Sequence, residues 1–320
     1  MADYKTQMEQ VIEPFLNQYR KQFWLEREEG NRLYCLSFRL KAPKGVVLLS
    51  HGFTENEAKY KEVIYRFLKQ NYTVYFMEHC GHGRSYRLVE DLSMVYVDSY
   101  ERYVDDFLMF AHRAKSENAR LPMYLFGHSM GGGIAAAVVA KEPNLFQKVV
   151  LSSPMIRPYV PSIPWRDIQA LVRTFCAAGR EKHYVIGHGP YEGLKTWKNT
   201  VSSMREDQYN YYQEIRSNEP MFQTNGASYG WMRAAVKLNQ YLRREAPGRI
   251  CIPVMLFQAE HERLVSNKEQ VRFILNLREE GLLSAKLVRV PGARHEIFNA
   301  ERHTRAGYWR MIFRFLEKQK

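Results

Sequence analysis

Apolar and polar positions along this chain switch repeatedly between two periods. Residues 45–50, Gly-Val-Val-Leu-Leu-Ser, form a short unbroken apolar run, and 73–77, 123–126, 148–152, 253–257 and 286–290 are runs of the same kind. Runs of that length are characteristic of strands buried on both faces, as in a parallel sheet. Residues 32–40 alternate with period two and predict a further strand. Between the runs, the stretches 57–70, about 99–117, the small-residue segment after 131, about 266–280 and about 303–318 carry helical spacing. Strands alternating with helices predict an α/β fold, a mostly parallel, doubly wound sheet built by right-handed crossovers.

Two segments depart from that rhythm. Met8, Val11, Ile12, Phe15, Leu16, Tyr19 and Phe23 recur at helical spacing. They predict an N-terminal helix over about 5–25 that packs on its own domain, a membrane face being the competing use. From 155 to 248 prolines, Tyr, Trp and Met accumulate in helical segments without buried strands. The expected organisation is therefore a core of 1–154 and 249–320, with 155–248 inserted as a helical cap. Such an insertion falls above the carboxyl ends of the strands, where open α/β sheets bind ligands.

Composition narrows the function classes. At 320 residues and 45% hydrophobic, the chain is long enough to bury a full core. The formal charge of +13 invites a nucleic-acid reading, but the basic residues form no run and no nucleic-acid signature. An anionic membrane surface or a phosphate-bearing substrate uses the same charge. Cys35, Cys80, Cys176 and Cys251 are far apart without metal-ligand spacing, which suits reduced thiols. The charged N-terminus has no apolar signal core, and no apolar run has the length of a membrane span. The expected location is cytoplasmic, with peripheral contact at an anionic membrane face as an option.

The chemistry centres on Gly127-His-Ser-Met-Gly131, which follows an apolar strand and leads into the small-residue helix. This is a G-x-S-x-G elbow in strand–turn–helix context, with Ser129 at its apex. A serine hydroxyl is a weak nucleophile at neutral pH and needs a base, which in turn needs an orienting acid. In this architecture the acid follows a later strand and the histidine comes near the C-terminus. Of ten histidines, His295 in Val-Pro-Gly-Ala-Arg-His-Glu has that place and order. For the acid, the strand 253–257 runs into Gln-Ala-Glu260-His-Glu262-Arg, and Glu262 is chosen over its neighbour Glu260. The backbone N–H groups of Phe53 and Met130 are the candidate oxyanion donors. Gly81-His-Gly-Arg-Ser85 has glycines but lacks the Lys-Ser/Thr of a nucleotide loop, and reads as a structural turn.

Taken together, Ser50-His-Gly-Phe, Glu78-His-Cys-Gly-His-Gly-Arg-Ser, Gly127-His-Ser-Met-Gly-Gly, Gln258-Ala-Glu-His-Glu-Arg-Leu-Val and Gly292-Ala-Arg-His-Glu resemble the serine-hydrolase α/β-hydrolases of the monoacylglycerol lipase and lysophospholipase group. The likeness runs from about residue 31 to 318. Tyr103-Val-Asp-Asp106 and His295-Glu-Ile carry it toward the group's bacterial lysophospholipases. Many relatives have Asp where Glu262 stands, and the turn at Glu78–Cys80 usually begins with Asp and has Arg before Gly.

The resemblance implies the α/β-hydrolase fold and an esterase that releases a fatty acid from a lysophospholipid. Ser129, His295 and Glu262 would act as the triad, with no metal or organic cofactor. A monoacylglycerol lipase or general carboxylesterase is the alternative, and a non-catalytic binding module a more distant one. The expected partner is a lipid ester, with Trp165, Phe175, Trp197, Met204, Met221, Phe222, Trp231 and Met232 as candidates for an acyl tunnel.

Overall fold

In the chain's computed structural model, residues 3–318 are described, apart from the side chain of Asn199. The ends of the two expected core segments, 1–2 and 319–320, lie outside the described residues. Two short helices, α1 (Tyr4–Gln7) and α2 (Glu13–Asn17), flank a wider π turn at Met8–Ile12 and run as one element. Then come β1 (Arg20–Glu28), β2 (Asn31–Phe38), β3 (Gly45–Ser50), α3 (Glu57–Lys69), β4 (Tyr72–Met77), β5 (Met94–Val95) and α4 (Tyr100–Glu117). The middle of the chain holds β6 (Met123–His128), α5 (Met130–Lys141), β7 (Lys148–Ser152), α6 (Trp165–Ala177), α7 (Glu206–Asn218), β8 (Gly226–Ala227) and α8 (Tyr229–Arg244). It closes with β9 (Val254–Ala259), α9 (Asn267–Glu279), β10 (Lys286–Val290) and α10 (Arg302–Glu317).

Eight strands form one sheet in the order β1-β2-β4-β3-β6-β7-β9-β10. Only β1 with β2 and β2 with β4 run antiparallel; the other five pairings are parallel. The unbroken apolar runs are the inner strands: β3, β4, β6, β7 and β9 are buried at every position. The edges read differently. β1, Arg-Lys-Gln-Phe-Trp-Leu-Glu-Arg-Glu, keeps Arg20, Lys21, Glu26 and Glu28 on exposed positions, which discourages edge-to-edge pairing.

Helices cover both faces of the sheet. Phe107 of α4, Ile134 and Val138 of α5, Leu238 of α8 and Phe273 of α9 share one core. Met8, Tyr60 and Phe67 of α3, and Trp309 and Ile312 of α10 share the other. Leu238 lies between the α5 side and the body, and Asn239 Nδ2 donates to the Ile156 carbonyl at 2.8 Å. The C-terminal part of α8 is thus core structure.

Two expectations are corrected. The N-terminal helix ends at Asn17, well short of 25, and Phe23 lies on β1. Tyr4, Met8, Ile12 and Leu16 form the buried stripe, whereas Val11 is exposed. Phe23 and Leu25 turn inward while Gln22, Trp24 and Glu26 are exposed, so a period-two pattern overlapped the end of a helical one. The segment 155–248 also contains a strand, β8, which pairs in parallel with β5. Two residues are too few to leave a periodic trace.

Several turns are held by buried polar groups. Glu78 accepts from the backbone N–H of Glu57 and Arg84, and burial pushes its carboxyl up to about 7. Asp106 is bonded to Arg27 Nη1 at 2.7 Å and accepts from the Tyr86 hydroxyl at 2.8 Å. Both residues are structural ties.

Candidate active site

Ser129 occupies the N-cap position of α5, where β6 turns directly into the helix. A serine at this position usually accepts a hydrogen bond from its own helix, as Ser99, Ser228 and Ser266 do for α4, α8 and α9. Ser129 makes no such cap, so its hydroxyl is left for other partners. Its backbone is held at φ 53°, ψ −121°, a conformation that costs on the order of 1–3 kcal/mol and persists only where the surroundings enforce it. They do so through its carbonyl, which accepts from the N–H of Gly132, Gly133 and Met155, and its N–H, which donates to Ser152. A Cβ on Gly131 would run into the carbonyl oxygens of Ser50 and His51, and one on Gly127 would meet the Gly131 carbonyl at 2.6 Å. The flanking glycines are what let strand, turn and helix approach this closely.

His295 follows β10 and Glu262 follows β9, and the parallel pairing of those strands brings their loops together. His295 Nδ1 donates to Glu262 Oε2 at 2.7 Å. The other carboxylate oxygen accepts from the N–H groups of Arg263, Leu264 and Val265. Burial alone would raise this carboxyl, but the imidazole and the Leu264 and Val265 amides outweigh it, holding Glu262 below the usual carboxylate range. With the Nδ1 proton committed to Glu262, the lone pair of a neutral imidazole falls on Nε2. Ser129 and His295 line the same cavity, of about 790 Å³. No hydrogen bond joins them among the described residues, and such contacts commonly tighten only with substrate bound.

Glu260, the rival acid, points elsewhere: its Oε2 accepts from Gly292 N–H at 2.7 Å and it is solvent-exposed. Phe53 and Met130 both stand beside Ser129, Phe53 lining the cavity. Neither backbone N–H donates to a protein group among the described residues. Trp231, in the first turn of α8, closes over them. Its Nε1 donates to Met130 Sδ at 3.4 Å and its ring lies 4.4 Å from that of Phe53.

The cavity has two unlike walls. Phe53, Met155, Val160, Trp231, Met232 and Leu264 make one side apolar. Glu55, Lys59, Glu296 and the α7 residues Gln208, Tyr209, Tyr212, Gln213 and Arg216 make the other polar. Of the residues named for an acyl tunnel, only Trp231 and Met232 reach this cavity. Phe175 stacks on Tyr229 at 4.2 Å, Phe222 packs with Tyr212, and Trp197 lies under Arg294.

Three site features emerge only in the folded chain: the Lys59 bridge, the turn held by Glu55, and a buried histidine beside His295. Lys59 bridges Glu55 at 2.9 Å and Glu296 at 2.5 Å; both carboxylates outweigh burial and raise its pKa. Glu55 also accepts from Gly52 N–H and the Tyr60 hydroxyl, which fixes the turn carrying Phe53. Glu296 adjoins His295, so the same network steadies the histidine loop. The i,i+4 spacing of Glu55 and Lys59 was visible, but their partner 237 positions away was not.

The third feature is His128, whose ring lies 4.8 Å from that of His295. Its Nδ1 donates to the Ser152 carbonyl, and burial lowers its pKa to about 4. His51 is lowered to about 4 for the same reason. Unfolded histidine takes up a proton near pH 6.5, whereas these two resist until about 4, so stability held above 6.5 is lost as pH falls through that window. Each should cost about 1.4 kcal/mol per pH unit there. Thermal melts from pH 7 to 4.5 should show a falling Tm, and His128→Asn should flatten the fall by about one proton. An unchanged slope would contradict the neutral burial of His128.

Known proteins place this architecture. Lysophospholipase L2 of Escherichia coli is 26% identical over 258 residues, covering 78% of this chain and 75% of that protein. Monoacylglycerol lipase of Mycolicibacterium smegmatis is 28% identical, covering 80% of this chain and 83% of its own length. Among solved structures, the monoglyceride lipase of Saccharomyces cerevisiae superposes with a TM-score of 0.74 at 17% identity, over 93% of this chain and 95% of that one. The α/β-hydrolase fold is shared across them. With residues 41–302 matching it, the chain belongs to the hydrolase family described as serine aminopeptidase, S33.

Proposed function

We propose that this chain is a serine carboxylic-ester hydrolase that releases the fatty acid of a lysophospholipid. The observation that carries the reading is His295, held by Glu262, lining the same cavity as Ser129. The relatives' names, lysophospholipase and monoacylglycerol lipase, support ester chemistry on single-chain lipids.

In this reading His295 Nε2 takes the Ser129 proton as the hydroxyl attacks the ester carbonyl. The developing oxyanion is received by the N–H groups of Phe53 and Met130, each donor worth roughly 3–4 kcal/mol in the transition state. His295 then protonates the departing alkoxide and activates the water that frees the acyl group. Glu262 fixes the imidazole tautomer and stabilises its cation. The acyl chain lies along Phe53, Met155, Trp231 and Met232, and the headgroup lies against α7.

The cap is drawn from 155–248 without the C-terminal part of α8: the loops 155–160 and 188–202, α7 and the first turn of α8 all border the cavity. Tyr159, Leu194 and Leu264 line it while exposed to solvent, which suits peripheral contact with a lipid surface. No helix among the described residues is long and apolar enough to cross a membrane. Hydrolysis of lysophosphatidylcholine and of a monoacylglycerol with the same acyl chain tests the substrate. A higher kcat/KM for the phospholipid is expected; preference for the neutral ester makes the chain a monoacylglycerol lipase or general esterase.

A further inference from the structure

A buried cation without an acid beside it faces the cavity at the end of α7. Arg216 is only 7% exposed. Its Nε donates to the Phe222 carbonyl at 3.2 Å, and its Nη2 donates to the Thr224 carbonyl at 2.6 Å and to Asn225 Oδ1 at 3.3 Å. Nη1 has no protein acceptor among the described residues, and the side chain lines the cavity. Nor does any described carboxylate come within ion-pair reach of this guanidinium. Buried charges are ordinarily paired, because desolvation without a partner costs several kcal/mol.

The surroundings add to the positive field. Arg87 Nη2 donates to the Met221 carbonyl and Thr224 Oγ1, so a second guanidinium is bound to the same turn. Lys195 also lines the cavity and reaches Asn225 Oδ1 at 3.5 Å. Gln213, one turn earlier on α7, lines the cavity with its buried Oε1 unpartnered among the described residues. The acids of the cavity, Glu55 and Glu296, are already engaged by Lys59. The polar wall therefore offers, on one helical face, a cationic N–H at Arg216 Nη1 for an anion, its guanidinium stacked on Tyr191 at 4.6 Å, and an unsatisfied acceptor, Gln213 Oε1, for a hydroxyl.

We propose that Arg216, with Lys195, is the subsite for the substrate's phosphate and that Gln213 Oε1 accepts from the glycerol hydroxyl beside it, which makes a glycerophosphate headgroup the class this cavity selects. The proposal rests on the hydrolase reading for its substrate but not for its binding chemistry. Guanidinium suits the role because its planar fork matches phosphate oxygens and it stays charged when buried.

Two measurements on the full chain test it. The first is the ratio of kcat/KM for lysophosphatidylcholine to that for the matching monoacylglycerol. Arg216→Gln should lower this ratio by about 10- to 100-fold, as expected for a lost hydrogen bond to a charged group, with Arg216→Lys in between. Because Arg216 also braces the 222–225 turn, structural damage alone would lower both substrates together and leave the ratio unchanged. That result would overturn the proposal. The second measurement is calorimetric binding of glycerol 3-phosphate, glycerol and inorganic phosphate to the unmodified chain, which needs no turnover. Glycerol 3-phosphate should bind at millimolar concentration and glycerol should not. Equal binding of inorganic phosphate would make this a free-anion site, and no binding of either would refute it. A chain that binds glycerol 3-phosphate yet cleaves no ester sinks the hydrolase reading and spares this one.

Discussion

Ser129→Ala is expected to lower kcat for ester hydrolysis on the order of 10⁶-fold, to the residue that oxyanion donors and binding alone provide. The serine is the only atom source for an acyl-enzyme in the proposed route, so no neighbour substitutes for it. Stability should barely change. Ser129 makes no cap with its side chain, and its backbone bonds to Ser152, Gly132, Gly133 and Met155 survive in alanine. Alanine does inherit the strained φ, at a cost comparable to that of serine. Steady-state kinetics with a soluble p-nitrophenyl ester, alongside a melting curve, reads both quantities. A folded variant retaining more than about one hundredth of the activity would place the nucleophile elsewhere.

Glu262→Gln is expected to reduce kcat on the order of 10⁴-fold, whereas Glu260→Gln should stay within a few-fold of the parent. The difference follows from where the two side chains point. Glu262 Oε2 takes the Nδ1 proton of His295 while Oε1 is held by three backbone amides. A glutamine amide there favours the other tautomer, with the proton on Nε2 and no lone pair for the serine. Glu260 accepts from the Gly292 amide and lies beside the exposed His261 ring, at the surface and away from His295. Comparing the two variants at matched folding checks the assignment; the reverse ranking would mean that the acid has been misplaced.

Sheet and site were legible in the sequence to different depths. The inner strands announced themselves because they are buried on both faces: β3 and β7 span the residues their apolar runs occupy. The elbow was legible because its two glycines fall within five residues, although Gly127 answers a clash inside the elbow and Gly131 one with the distant carbonyls of Ser50 and His51. Chain order pointed to His295 and Glu262, and the structure brings these two side chains within 2.7 Å of each other. Where two periods overlapped, as at Tyr19–Phe23, the helix was read too long. The polar wall was not legible at all. Glu55, Lys59 and Glu296 meet only through the tertiary fold, and Arg216 looks like any helical arginine until its missing counter-charge is seen. The same holds for the cavity's apolar wall, to which six of the eight aromatic and methionine candidates in the cap contribute nothing.

The central claim is that the Ser129 hydroxyl is the group made reactive by His295. Incubating the chain with a fluorophosphonate and mapping the adduct by mass spectrometry tests it most directly. One adduct on Ser129 is predicted, formed rapidly in the parent and far more slowly in His295→Ala. A folded parent that takes no label, or takes it at another residue, would contradict the account.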